Sequence, residues 1–124
     1  MTVKRPKHLA LHQIRLPLPG FVSILHRVSG LLLFLALPLL LWVLQASLRS
    51  IETYTGLVGL LQLPVSKLAL LVLLWAGLHH LCAGVRFLLM DFHLFSSLAQ
   101  ARSSSMWVLA VSLSLTVLIG VKSW

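Results

Sequence analysis

The sequence predicts an all-α membrane protein in which three transmembrane helices follow a basic N-terminal segment. Of its 124 residues, 59% are hydrophobic and 10% are charged, and the mean hydropathy is +1.00. Soluble domains carry about 25% charged residues, so the charges here are too few to cover a water-exposed surface. Three uncharged apolar runs each approach or reach the ~20 residues that a membrane-spanning helix needs. Together they leave no room for a soluble catalytic domain.

Residues 1–20 are predicted to be the first domain, a basic segment at the membrane surface. Prolines in this segment oppose a continuous helix, because proline removes a backbone hydrogen-bond donor. We do not expect a cleaved signal peptide, because the apolar run that follows is too long and has no clear small-residue cleavage site. The residues that define the segment are Lys4, Arg5, Pro6, Lys7, Arg15, Pro17, Pro19 and Gly20.

Residues 21–124 are predicted to be the second domain, a three-helix membrane anchor. Charged residues bound each of the three apolar runs. Pro38 falls inside the first run, where it can bend the helix while neighbouring groups bond the freed backbone. We place the three spans at about residues 21–48, 65–90 and 103–121.

The connection between the first two spans, residues 49–66, is predicted to be a polar loop. It contains charged and hydroxyl side chains and two glycines. Residues 57–63 are more apolar and can pack as a short interfacial helix. Pro64 suits the first turn of the next helix, where its missing N–H needs no partner.

The distribution of basic residues predicts the orientation of the chain in the membrane. Cytoplasmic loops carry an excess of lysine and arginine. Seven basic residues lie on the side of the N-terminus and of the second connection, and three lie on the opposite side. We therefore expect a cytoplasmic N-terminus. The seven are Lys4, Arg5, Lys7, Arg15, Arg27, Arg86 and Arg102, and the three are Arg49, Lys67 and Lys122.

The net charge of +8 is better explained by a membrane than by a nucleic acid. Recognition of a nucleic acid needs a basic face on a soluble module. Lysines and arginines at the ends of membrane helices instead contact lipid headgroups. We therefore expect membrane lipid, and not nucleic acid, as the partner of these charges.

His79 and His80 lie near the middle of the second span. Polar groups at this depth are costly and usually face a bundle interior or a cofactor. A neutral imidazole is a good ligand for haem iron, whereas a zinc site needs about four ligands that this region does not offer. The alternative is a histidine that is hydrogen-bonded between helices.

Only one of the two histidines can ligate a given iron, because neighbouring helical residues point about 100° apart. A haem iron bound by two histidines would therefore need its second histidine from a partner chain. Gly77 and Gly84 share the helical face of His80 and would let a flat macrocycle approach it. The face of His79 carries Ala76 and Ala83 instead, although small residues also promote helix packing in membranes.

Ser23, His26 and Arg27 form a second candidate site where the first span enters the membrane interface. Their spacing directs all three broadly to one side of a helix. A hydroxyl, an imidazole and a guanidinium suit either a carbonyl-bearing lipid-soluble ligand or an anionic propionate. On the residues alone, simple anchoring by Arg27 at the headgroups is the favoured alternative.

Arg86 and Asp91 flank the cytoplasmic end of the second span. Either could pair with a partner chain or with the edge of a haem. An anchoring role at the end of the helix is an equally good interpretation of these residues.

Two sequence blocks together resemble the cytochrome b556 subunits of succinate dehydrogenase. The first block is Ser23-Ile-Leu-His-Arg-Val-Ser-Gly30. The second is His80-Leu-Cys-Ala-Gly-Val-Arg86, which continues through Met90-Asp91-Phe92. The resemblance covers most of the chain, including the number and orientation of its spans.

The resemblance implies specific roles for residues of both blocks. It implies that His80 is an axial ligand of haem b, with the other histidine supplied by a second small anchor subunit in a shared helical bundle. Ser23 and Arg27 match residues of the ubiquinone site, and His26 and Arg27 match positions near the haem propionates. Phe87 departs from the family, because many members have a histidine there.

The resemblance also implies the rest of the complex. A flavoprotein subunit with FAD and an iron–sulfur subunit with its clusters would pass electrons from succinate to ubiquinone. The complex would lie in the bacterial inner membrane, and this chain alone would hold no complete catalytic site. A fumarate reductase anchor is a close alternative, and a non-redox transporter or assembly scaffold is an alternative of a different class.

Overall fold

The computed structural model describes residues 15–95 and 97–124. The basic residues predicted within 1–14 lie outside the described residues. The described part of the chain is helical, with short connections. Its four helices are α1 (Leu18–Ser47), α2 (Ile51–Leu61), α3 (Pro64–Asp91) and α4 (Leu98–Ser123).

Helices α1, α3 and α4 are long and apolar enough to cross a membrane. They contain 30, 28 and 26 residues, with mean hydropathies of 2.2, 1.9 and 1.9 in their most apolar windows. At about 1.5 Å per residue, each exceeds the ~30 Å hydrocarbon core. The three helices contain nearly all residues of the three predicted spans, and the prediction of an all-α fold with three helices able to span a membrane is confirmed.

Local sequence explains where the long helices begin. Pro17 precedes α1 in an extended conformation, and a proline follows in the first turn. This places the start of α1 at Leu18 rather than at residue 21. Ser97 caps α4, since its hydroxyl accepts from the Gln100 backbone N–H while the Gln100 side chain accepts from the Ser97 N–H, both at 3.2 Å. This reciprocal capping box starts α4 before the predicted residue 103.

Helix α2 corrects the prediction of a mainly irregular loop. Ser50 accepts from the Thr53 backbone N–H, and Thr53 Oγ1 accepts from the Ser50 N–H, both at 3.2 Å. Thr53 Oγ1 also lies 2.8 Å from the Ala46 carbonyl oxygen near the end of α1. The capping box supplies partners for backbone N–H groups that a helix start leaves unpaired, so the helix begins at Ile51 rather than near residue 57.

Helix α3 is central, because it packs against both α1 and α4. A small apolar cluster joins the three helices through Val22, Ala83 and Val108. The buried face of α4 otherwise consists of small residues, which allow close approach of helices in membranes. These residues are Ser105, Ser112, Thr116 and Gly120. The three hydroxyls donate to carbonyl oxygens of the preceding turn, so they are buried with partners.

Most large apolar side chains of the spans lie on the surface of this single chain. Phe34 is 69% exposed and Leu118 is 65% exposed. A soluble protein rarely exposes so much contiguous apolar surface. In a membrane protein, lipid and neighbouring helices cover such faces.

Candidate functional site

The side chain of His80 packs against the first turns of α1. Its ring stacks on the ring of His26, with centroids 4.2 Å apart and an interplanar angle of 13°. Its Nδ1 lies 3.1 Å from the His26 carbonyl oxygen and 3.3 Å from Ser29 Oγ. A carbonyl oxygen can only accept a hydrogen bond, so this contact favours the tautomer with the proton on Nδ1. The lone pair is then on Nε2.

Gly30 makes this approach of α1 and α3 possible. A Cβ atom at Gly30 would lie 2.8 Å from Cε1 and 3.2 Å from Nδ1 of His80. Contacts this short would push the imidazole away from α1. The glycine that matters most for His80 therefore lies on the neighbouring helix and not on its own.

The two glycines predicted to admit a flat macrocycle have a different environment. A Cβ at Gly84 would lie 3.7 Å from His26 Nε2, and one at Gly77 would lie 4.0 Å from Leu33 Cδ2. Both are ordinary van der Waals distances to α1. Side chains of α1 therefore lie beside the glycine face of α3, while both glycines remain partly exposed.

His79 differs sharply from its neighbour. It is fully buried, and within the described part of the chain neither ring nitrogen has a hydrogen-bond partner. Its ring stacks on Trp75, with centroids 5.2 Å apart, and the indole Nε1 is likewise buried without a partner. His79 is therefore enclosed with no bond to fix its tautomer, whereas His80 is only partly buried.

The structure separates the three candidate site residues of the first block, Ser23, His26 and Arg27. His26 turns towards α3 and lies between the fully buried Val22 and Ser29 along the helix. Ser23 is half-buried and Arg27 is exposed. Ser23 and Arg27, four residues apart, form a row beside the buried face. His26 is thus brought to His80, while the other two remain open to a ligand or partner chain.

Phe87 contacts this same cluster. Its ring centroid lies 5.2 Å from that of His26, with an interplanar angle of 56°. The position at which many family members have a histidine is therefore filled by an apolar ring against His26.

Arg86 points away from this site and towards α4. It is 3% exposed, and it donates from Nε to Ser104 Oγ at 2.9 Å and from Nη2 to the Ala101 carbonyl at 3.2 Å. Arg86 is therefore held against α4 rather than extended along the protein surface. Asp91, the last residue of α3, is exposed. Sequence reasoning missed the link between Arg86 and α4, for which the serines early in α4 were the available signal.

Comparison with known proteins agrees with this architecture. Residues 1–119 match the family model described as the succinate dehydrogenase/fumarate reductase transmembrane subunit. The chain belongs to this family. The predicted resemblance is confirmed, and the chain is a multi-pass membrane subunit of an oxidoreductase complex of this class.

Individual members of the family are similar along nearly their whole length. The chain is 39% identical to the succinate dehydrogenase cytochrome b556 subunit of Coxiella burnetii over 125 residues, which covers 100% of both chains. It is 32% identical to the protein of that name from Paracoccus denitrificans, covering 92% of this chain and 88% of the relative. For the Rickettsia felis protein, the identity is 30% and the coverage is 95% and 92%.

Proposed function

We propose that this chain is the larger membrane anchor of a bacterial succinate:quinone oxidoreductase. In this proposal it binds haem b together with a second anchor subunit, and it contributes to the site where ubiquinone is reduced. The family membership and the names of the relatives support the anchor role. They favour it over an unrelated transporter or scaffold, and the relatives' names favour succinate oxidation over fumarate reduction.

The environment of His80 is the observation that supports the haem assignment best. Histidines that bind a metal usually donate their other ring N–H to a carbonyl or carboxylate, which fixes the tautomer and orients the ring. The Nδ1 contact with the His26 carbonyl has this form. It leaves Nε2 of a partly exposed imidazole for the iron. His79 has neither the orienting bond nor the access.

We assign the second haem ligand to another chain. His26 is the nearest histidine, but its ring is stacked almost parallel to that of His80 at 4.2 Å. Stacked in this way, His26 would not serve as the second ligand of a haem held by His80. A histidine of the second anchor subunit, in the shared helical bundle, meets this requirement.

A bound haem b supplies one-electron redox capacity, with a potential that depends on its axial ligands and their hydrogen bonds. In the proposal, residues of this chain hold the haem and help to set its redox potential. His80 provides the ligand nitrogen, and the His26 carbonyl makes that ligand more basic by accepting from Nδ1. His26 and Arg27 are assigned to the vicinity of the propionates, where the fixed positive charge of Arg27 can pair with a carboxylate.

Ser23 and Arg27 are assigned to the quinone. Both lie near the start of α1, and the guanidinium is exposed. The Ser23 hydroxyl can donate to a quinone carbonyl oxygen. Arg27 can stabilise the negative charge that develops on that ring as electrons arrive, which is a preorganised electrostatic role. The electrons come from succinate through FAD of the flavoprotein and the clusters of the iron–sulfur subunit, on the cytoplasmic side.

The quinone assignment is tested with Ser23→Ala and Arg27→Leu in the assembled complex. We expect both changes to depress ubiquinone reduction, by about 100- to 1,000-fold for Arg27→Leu, the range seen when one stabilising donor is removed. Succinate oxidation by an artificial soluble acceptor should persist, because FAD and the clusters lie on other subunits. Arg49→Leu, at the opposite end of α1, is the matched control. Equal loss of both activities in Ser23→Ala and Arg27→Leu would contradict a role in quinone reduction.

A further inference from the structure

A cavity lies between the end of α3 and the start of α4, away from His80. Its volume is about 460 Å³, and its polar wall is formed by Arg86, Gln100, Ser103 and Ser104. A second groove of about 330 Å³ adds the apolar residues Leu81 and Val111. The two share the side chains Cys82, Val85, Trp107 and Val108. The cavity and the groove therefore adjoin, and together they are called the channel here, with a polar end at Arg86 and an apolar end at Leu81 and Val111.

The guanidinium charge of Arg86, at the polar end, is not paired with an acidic side chain of this chain. Arg86 is 3% exposed, and its two hydrogen-bond acceptors, a serine hydroxyl and a backbone carbonyl, are neutral. The whole chain contains two acidic residues, Glu52 and Asp91. Both are exposed, and Glu52 belongs to α2. Because a guanidinium stays charged when it is buried and an uncompensated buried charge is unfavourable, the balancing anion must come from outside this chain.

We propose that this channel binds one anionic phospholipid. The phosphate lies at the end formed by Arg86, Gln100 and Ser103, and an acyl chain follows the groove past Leu81 and Val111. The polar end lies where two spanning helices meet the interface, at the depth of lipid headgroups, and basic pockets between membrane helices bind such headgroups. The apolar end runs towards the middle of both helices.

Other ligands fit the observations less well. A quinone is neutral, so it would fill the apolar groove without balancing the charge of Arg86. A free phosphate or a carboxylate from a partner subunit would balance the charge but leave the apolar groove unfilled. Only an amphiphile with an anionic head accounts for both ends of the channel. The proposal involves none of the residues assigned to haem or quinone.

The test is lipid binding by the intact complex, purified in mild detergent and washed free of bulk lipid. Native mass spectrometry then measures binding of phosphatidylglycerol, phosphatidylcholine or inorganic phosphate. We expect one phosphatidylglycerol to bind about tenfold more tightly than phosphatidylcholine, as befits a charge-selective site. Arg86→Gln should abolish this preference, whereas Arg102→Gln, which changes an exposed arginine near the start of α4, should keep it.

Ser103→Trp is the second variant, in case Arg86→Gln fails to assemble. Ser103 is exposed, lines the cavity, and takes no part in the two hydrogen bonds of Arg86. A tryptophan there should fill the cavity and displace the lipid while the two hydrogen bonds from Arg86 to α4 stay intact. Equal binding of both lipids, unchanged binding in Ser103→Trp, or full displacement by inorganic phosphate would each overturn the proposal.

Discussion

The two sides of α3 hold their polar groups in different ways. On the side facing α1, the imidazole of His80 uses one nitrogen to contact the backbone of α1 and keeps the other free. On the side facing α4, Arg86 is almost completely buried and donates to two groups of α4. A polar group that serves a cofactor must keep one atom free, whereas one that joins helices can use its donors within the protein.

The largest expected effect concerns the side of α3 that faces α1, and it is tested by comparing His80 with its neighbour His79. We expect His80→Ala in the assembled complex to abolish the b-type signal in a reduced-minus-oxidised optical spectrum, because no other imidazole in the described part of the chain is placed to replace it. His79→Ala should retain that signal, since His79 is enclosed and has no orienting bond. Retention of the signal in both variants would reject His80 as the ligand.

A smaller effect is expected from changes at two glycines on the α1–α3 interface. Gly30→Ala places a methyl group 2.8 Å from His80 Cε1, whereas Gly77→Ala places one 4.0 Å from Leu33 Cδ2. We expect Gly30→Ala to lower haem content and shift the midpoint potential, because the ring must move from the His26 carbonyl. Gly77→Ala should leave both unchanged. Identical spectra and potentials in the two variants would show that the packing of His80 on Gly30 has no role in haem binding.

The smallest effect concerns the side facing α4. Ser104→Ala removes the acceptor for Arg86 Nε and leaves a buried charged donor unpaired. This should lower the free energy of unfolding by about 1–3 kcal/mol. The adjacent, exposed Ser103→Ala should change it by less than about 0.5 kcal/mol. Unfolding by denaturing detergent, followed by tryptophan fluorescence, measures the stability of both variants. Equal stability of the two variants would argue against a stabilising hydrogen bond between Arg86 and Ser104.

The sequence was sufficient to predict the three spans, because long apolar runs between charges have few alternatives in a membrane. It was less informative about their ends. The capping boxes at Ser50 and Ser97 start α2 and α4 earlier than expected. Each capping box depends on a side chain three residues further along, and a hydropathy profile contains no information about such pairs.

Both blocks of the candidate site are recognisable in the sequence, but the spacing of residues cannot show which neighbouring helix each side chain faces. The role of Gly30 depends on a residue 50 positions away in the chain, and the inward turn of Arg86 depends on hydroxyl and carbonyl groups of α4. Such tertiary contacts follow from packing, which a one-dimensional pattern does not contain.

The central claim is that His80 binds iron through Nε2 while Nδ1 donates to the His26 carbonyl. An experimental structure of the assembled, haem-loaded complex tests it most directly. We expect continuous density between the iron and Nε2 of His80, with Nδ1 within hydrogen-bond distance of the His26 carbonyl and a histidine of the second anchor subunit on the opposite face. Iron bound to His79, or to Nδ1 of His80, would contradict it.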